Sequence, residues 1–259
     1  MTLIVGIKCQ EGVVIGADSA VTSATGTGQQ TAMQPSKKLS IIDNKIIIGV
    51  SGQVGLAQFF KNEVEQLWKS EICFKNKTVE QVRLKITDAL RKHLKREREF
   101  ASSTRDVLET MMIQNELTSH TLIALPIKKG PTLLEFPLTL SSEEKDERFP
   151  TVAIGIAQPI ADPFLCFLRR VFWPDQLPTI GQGKLAAYWV LDYSIKASPG
   201  NVSLPIKMAI LENSNGDFRA YELDDQELSN LGQAVDDAER FLKGFNQPED
   251  KQTGEIPKP

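Results

Sequence analysis

The chain moves between two hydrophobic rhythms. Residues 2–8 (TLIVGIK) form an apolar run, the turn Gln10-Glu11-Gly12 follows, and VVIGAD at 13–18 resumes the run. That order of strand, turn and strand predicts a hairpin. Residues 19–37 are small, polar and Gly-containing, and predict a loop or weak edge strands. KLSII, the turn Asp43-Asn44-Lys45 and IIIGVSG predict a second hairpin. The period then lengthens. Leu56, Phe59, Phe60, Val64, Leu67 and Trp68 predict an amphipathic helix over 53–70. Thr78 with Gln81 has capping-box form, and Val79, Val82, Ile86, Leu90 and Leu94 continue it as one apolar stripe.

Strand patterns return at 121–127, 132–138 and 151–157, with an acidic loop at 141–147. Helices are predicted over 160–173 and 180–197, separated by Pro174 and Pro178. Strands at 205–211 and 217–223 precede a last helix at 225–244. Each helix pair needs a sheet face to cover. Two antiparallel sheets packed face to face, with helices on both outer faces, satisfy that burial. The expected fold is therefore α+β, a four-layer αββα sandwich in one domain over 2–244. The polar, Pro-containing stretch 245–259 is expected to be a disordered tail.

Composition narrows the function. At 259 residues and 41% hydrophobic, the chain can bury a large core. A net charge of −3 provides no general field for nucleic acid. The basic run RKHLKRERE at 91–99 also carries Glu97 and Glu99 and reads as a solvated helix end. No apolar run is long enough to span a membrane, and the start does not resemble a secretion signal, so a cytoplasmic protein is expected. Cys9, Cys73 and Cys166 are far apart and read as buried small hydrophobes. His93 and His120 lie at no metal-ligand spacing, so neither a metal nor another cofactor is expected. A hydrolase with this sequence would need a base other than histidine.

Thr2 offers one. If Met1 is removed, Thr2 carries a hydroxyl and a free α-amino group, whose ordinary pKa is about 7.7–8. The base is then built into the nucleophile.

The start TLIVGIKCQEGVVIGADS resembles the first hairpin of proteasome β-subunits and of the bacterial protease HslV, which are N-terminal-nucleophile hydrolases with the αββα fold. The resemblance assigns an aspartate to Asp18 and a lysine to Lys38 within SKKLSIID; Lys37 stays open because the preceding loop is about four residues longer than usual. Ser51-Gly52 matches the Ser-Gly whose glycine N–H faces the developing oxyanion. The resemblance implies that Asp18 orients Lys38 and keeps it charged, and that Lys38 favours the deprotonated nucleophile. It places Val21, Ser36, Ser40 and Val50 around the substrate pocket, whose small and apolar walls suit small-to-medium apolar side chains. The stretches IGIAQPIADPFLCFLRRVFW and PGNVSLPIKMAIL look most like the bacterial proteasome homologue branch.

What the resemblance implies is a self-compartmentalised threonine endopeptidase that acts on unfolded proteins and peptides. It would work as a homo-oligomeric, stacked ring, with room for an unidentified ATPase or regulator. Two positions depart from the pattern. Ile156, in Gly155-Ile156-Ala157, stands where the family has a serine, and 195–200 (IKASPG) lacks the family's aspartate. Both would orient the α-amine, so slow turnover is expected. The alternative is a ring-forming scaffold without useful chemistry. The aromatics Phe164, Phe167, Phe172 and Trp173 read as core first and ring contact second.

Overall fold

A computed structural model describes residues 2–24, 30–35, 37–70, 74, 77–103, 119–128, 130–137, 141–214 and 216–244. The stretch 245–259 lies outside the described residues. One five-stranded antiparallel sheet has the order β10-β1-β2-β11-β12. These strands are β1 (Leu3–Lys8), β2 (Gly12–Ala17), β10 (Thr151–Gly155), β11 (Lys207–Ser214) and β12 (Asp217–Glu222). The other five-stranded sheet runs β5 (Leu39–Ile42), β6 (Ile46–Gly52), β7 (Ser119–Ile127), β8 (Gly130–Phe136), β9 (Glu143–Lys145). Between β2 and β5 the chain forms a small separate ribbon, β3 (Ala20–Ala24) with β4 (Gln30–Pro35).

Alternation along the strands makes the layers. Successive side chains of a strand point to opposite faces. In β1, Leu3, Val5 and Ile7 enter one apolar cluster, whereas Ile4 enters another between the sheets. In β6, Ile46, Ile48 and Val50 face one way and Ile47 faces the inter-sheet layer. The outer faces are covered by helices. Helices α1 (Val54–Lys69) and α2 (Val79–Ser103) place Leu56, Phe60, Val64, Val82, Ile86 and Leu90 on the second sheet. Helices α3 (Gln158–Phe172), α4 (Ile180–Ala197) and α5 (Asp225–Gly244) place Leu165, Val190, Leu191 and Val235 in the cluster over the first sheet. Three apolar clusters separate four layers, as the element order predicts.

The helix starts also follow the sequence. Thr78 and Gln81 close the expected capping box: the Gln81 N–H donates to Thr78 Oγ1 at 3.3 Å, and the Thr78 N–H donates to Gln81 Oε1 at 3.1 Å. Thr179 and Gln182 form a second one at α4.

Three expectations change. The acidic loop contains β9, which pairs with β8 at Leu133↔Lys145. It has no apolar alternation; Lys145 Nζ lies 2.5 Å from Glu135 across on β8 and 3.1 Å from Glu143 on its own strand. Burial works against the Lys145 charge, yet those two carboxylates hold its pKa above the ordinary 10.5. Second, Cys166 is exposed although Cys9 is buried, and Cys73 lies outside the described residues. Third, α3 is only partly core. Trp173 and Leu165 are buried, but Phe167 and Phe172 are exposed. Among the described residues, no helix is long and apolar enough to cross a membrane.

Candidate active site

Strand β1 is hydrogen-bonded along both edges, to β10 and to β2. A segment hydrogen-bonded on both edges is held in place. Thr2 therefore sits at a fixed place just ahead of Leu3 and is buried. Met1 lies outside the described residues.

The hairpin returns Asp18 to the start of β1. The Leu3 N–H donates to Asp18 Oδ1 at 2.8 Å, and the Asp18 N–H donates to the Leu3 carbonyl at 3.1 Å. The Ala20 N–H and the Ser203 N–H donate to Asp18 Oδ2 at 2.9 Å and 3.2 Å. Lys38 Nζ completes the set, 2.6 Å from Asp18 Oδ1. Both side chains of this ion pair are buried, 4% exposed for Lys38 and 0% for Asp18. A buried carboxylate is tolerated when paired and hydrogen-bonded, and Asp18 meets both conditions. Burial pushes the Lys38 pKa below the ordinary 10.5, and the charge and hydrogen bond of Asp18 pull it back up. Lys37 is placed otherwise: its exposed ammonium lies 2.5 Å from Glu222.

Thr2, Lys38, Ser40, Val50 and Gly52 border one cavity of about 310 Å³. Five of the residues chosen from the sequence are thus brought together, with Asp18 bonded to Lys38. Val21 is in β3, its backbone opposite Gln34. Ser36 lies outside the described residues. Lys37 also borders the cavity. Spacing alone did not single out Ile48, Val54, Ala57, Gln58 and Lys61, which complete the wall. Val54, Ala57, Gln58 and Lys61 stand three or four residues apart on α1. That spacing makes one helix face, a signal available in the sequence.

Gly52 ends β6 at φ +139°, in the region that favours glycine, and turns the chain into α1. The start of α1 has no side-chain cap and no acidic residue in its first turn. Its free N–H groups and the positive end of the helix dipole therefore remain available to an anion.

Gly155 packs against the backbone of Thr2. Its φ is +107°, and a Cβ there would stand 2.1 Å from the Thr2 carbonyl oxygen and 3.3 Å from Ser51 Oγ. Only glycine fits. Ile156, the next residue, is exposed and brings no hydroxyl. The hydroxyl at this junction is that of Ser51, which alternation on β6 directs to the same side as Ile47. Ser198 accepts a bond from Asn201 Nδ2 at 2.9 Å, so its contact is local. The later chain reaches the site through the Ser203 N–H instead, 185 residues from Asp18.

Other candidate nucleophiles and bases are placed elsewhere. Burial pushes the Cys9 thiol up to about 12, which leaves it inert at neutral pH. His120 pairs with Glu135 at 2.6 Å on the second sheet.

Residues 2–104 match the family model described as Proteasome subunit. Among curated proteins none matches the chain. Similar solved structures include the Anbu (Gly-1) mutant from Hyphomicrobium sp. strain MC1, with 19% identity, a TM-score of 0.66, and coverage of 96% of this chain and 100% of that one. Anbu (ancestral beta-subunit) from Yersinia bercovieri has 14% identity and a TM-score of 0.66, covering 95% of this chain and 98% of that one. The helical assembly of the Anbu complex from Pseudomonas aeruginosa has 14% identity and a TM-score of 0.65, covering 96% of this chain and 98% of that one. At such identities the likeness is one of fold. The chain has the αββα fold of these Anbu structures along nearly its whole length, and its first 2–104 residues match the proteasome-subunit model.

Proposed function

We propose that the chain is a threonine-type endopeptidase that hydrolyses peptide bonds of unfolded proteins and peptides, with Thr2 as N-terminal nucleophile after loss of Met1. The observation that carries this reading is the buried Asp18–Lys38 pair, 2.6 Å apart, whose lysine shares a cavity with Thr2.

The residues divide the chemistry as follows. The Thr2 hydroxyl attacks the substrate carbonyl carbon and passes its proton to the Thr2 α-amine. Lys38, held charged by Asp18, lowers the cost of the developing alkoxide. The carbonyl oxygen becomes an oxyanion, which the Gly52 N–H and the start of α1 stabilise. Collapse breaks the C–N bond, and the leaving amine takes the proton from the α-ammonium. The acyl group is left as an ester on Thr2 Oγ1. Water, deprotonated by the same amine, hydrolyses that ester and restores the threonine. No cofactor enters these steps.

The working form we propose is a cytoplasmic homo-oligomer. The Pseudomonas aeruginosa Anbu complex, which shares the fold, forms a helical assembly. Copies joined head to tail close into a ring or continue as a helix according to the rotation between them. An ATPase or regulator would then feed unfolded substrate. Assignment to the bacterial proteasome homologue branch rests on the stretches at 154–173 and 199–211 alone; the structures compared above are Anbu proteins.

A second reading, a ring-forming scaffold without catalysis, is favoured by one observation. Ile156 and the acid-free 195–200 leave the region around the Thr2 amine without the serine and aspartate that the resemblance expects. Intact mass of the purified protein separates the two readings. The peptidase requires a mass lower by one methionine, whereas retention of Met1 leaves Thr2 without a free amine and favours the scaffold.

A further inference from the structure

The cavity beside Thr2 is richer in cations than its small, apolar sequence walls suggest. Lys37, Lys38 and Lys61 all border it, and no carboxylate does among the described residues. Two of the three have carboxylate partners. Lys38 pairs with Asp18, and Lys37 lies 2.5 Å from Glu222. Lys61 differs. It projects from the cavity-facing side of α1, in line with Val54, Ala57 and Gln58, and is half-buried. The acid one turn along the helix, Glu65, is bound to Lys69 at 2.6 Å and feels Lys61 only as a more distant charge. Among the described residues, no carboxylate stands within ion-pair distance of Lys61.

The remaining walls suit one kind of guest. Ile48, Val50 and Ala57 present apolar surface to the stem of a side chain. Lys61 and the Gln58 amide, from α1, are donors in the same lining. The uncapped start of α1 adds positive potential to the cavity. A basic guest would meet like charge, and an uncharged aliphatic guest would leave the donors unpaired.

We infer that Lys61 makes this cavity a pocket for an acidic side chain, so that the substrate residue bound beside Thr2 is glutamate or aspartate. The methylenes of that residue pack on Val50 and Ile48, and its carboxylate pairs with Lys61. This deepens the peptidase reading and rests on it for the position of the scissile bond, but the pocket itself can be tested without cleavage.

The test is binding of fluorescein-labelled peptides to the Thr2→Ala protein, followed by anisotropy. The peptides are alike except for one central residue, Glu, Leu or Lys. The Glu peptide is expected to bind about tenfold more tightly than the Leu peptide, the size of one charge-assisted hydrogen bond. Lys61→Ala, in the same background, should remove that advantage, and Lys61→Glu should turn it toward the Lys peptide. Equal or tighter binding of the Leu peptide overturns the inference. So does an acidic preference that survives Lys61→Ala. Neither outcome bears on whether Thr2 is a nucleophile, which is read separately in the unsubstituted protein.

Discussion

Asp18 is the residue on which most of the site depends. Its carboxylate accepts from three backbone N–H groups and from Lys38. Asp18→Asn keeps the shape but removes the charge that pays for burying the Lys38 ammonium. It also turns an amide N–H₂ toward donors. Removing one partner of a buried pair typically costs about 3–5 kcal/mol, and denaturant melts of Asp18→Asn should show a loss of that order. Lys38→Met added to Asp18→Asn should recover part of it, because no unpaired charge is left. Burial lowers the Lys38 pKa from 10.5, so between the lowered value and 10.5 the unfolded chain binds more protons than the folded one. Stability from this lysine must therefore rise with pH across that window. Turnover needs the charged lysine and should fall across it. Opposite slopes of stability and rate, with the stability slope reduced in Lys38→Met, are expected; a rate that stays flat up to 10.5 contradicts the role given to Lys38.

At the scale of elements, the site depends on two junctions where the chain must leave a strand at positive φ. Gly52 leads β6 into α1, and Gly155 leads β10 toward α3. Gly155→Ala places a methyl group 2.1 Å from the Thr2 carbonyl oxygen. Strain and overpacking together should cost at least about 2 kcal/mol, and the start of β1 must shift. The variant should lose both thermal stability and reactivity at Thr2; a fully reactive Thr2 in Gly155→Ala would show that this junction does not position it. The β1–β2 hairpin was legible in the sequence, because apolar runs and turns fix where Asp18 returns; the choice of Lys38 as its partner came from the resemblance to proteasome β-subunits, since no periodicity brings Lys38 to Asp18. Strand β9 was not legible, because three charged residues carry no apolar alternation; it pairs with β8 through its backbone and the Lys145–Glu135 ion pair. Nor was Ser203, whose contribution is a backbone N–H that carries no mark of residue type. The Lys61 face of α1 was visible as spacing, but its direction depends on which side of the helix meets β6.

For the whole molecule, element order sufficed to give the four layers, since each amphipathic helix pair requires a sheet face. Surface roles were less legible. An aromatic helix reads as core from its sequence, yet Phe167 and Phe172 are exposed along with Tyr193. Phe164 bridges Phe167 and Tyr193 to the core, with ring centroids 6.1 Å and 4.7 Å away, and Phe172 stacks on the buried Trp173 at 6.2 Å. A patch of this kind on a chain expected to self-associate suits a contact between copies. Mass photometry should therefore find species at multiples of 28.8 kDa, and Phe167→Ser with Phe172→Ser should shift them toward the single chain. A protein that stays a single chain at micromolar concentration would contradict the compartment, though not the chemistry of Thr2.

The central claim is that Thr2 presents a hydroxyl and a free amine together. A peptide epoxyketone tests this directly, since its two electrophilic carbons need both groups of one residue to form a ring. Intact mass and peptide mapping after incubation should show one added inhibitor per chain, located on Thr2 and absent from Thr2→Ala. A peptide series containing glutamate beside the warhead, returned with Thr2 unmodified, would contradict the account.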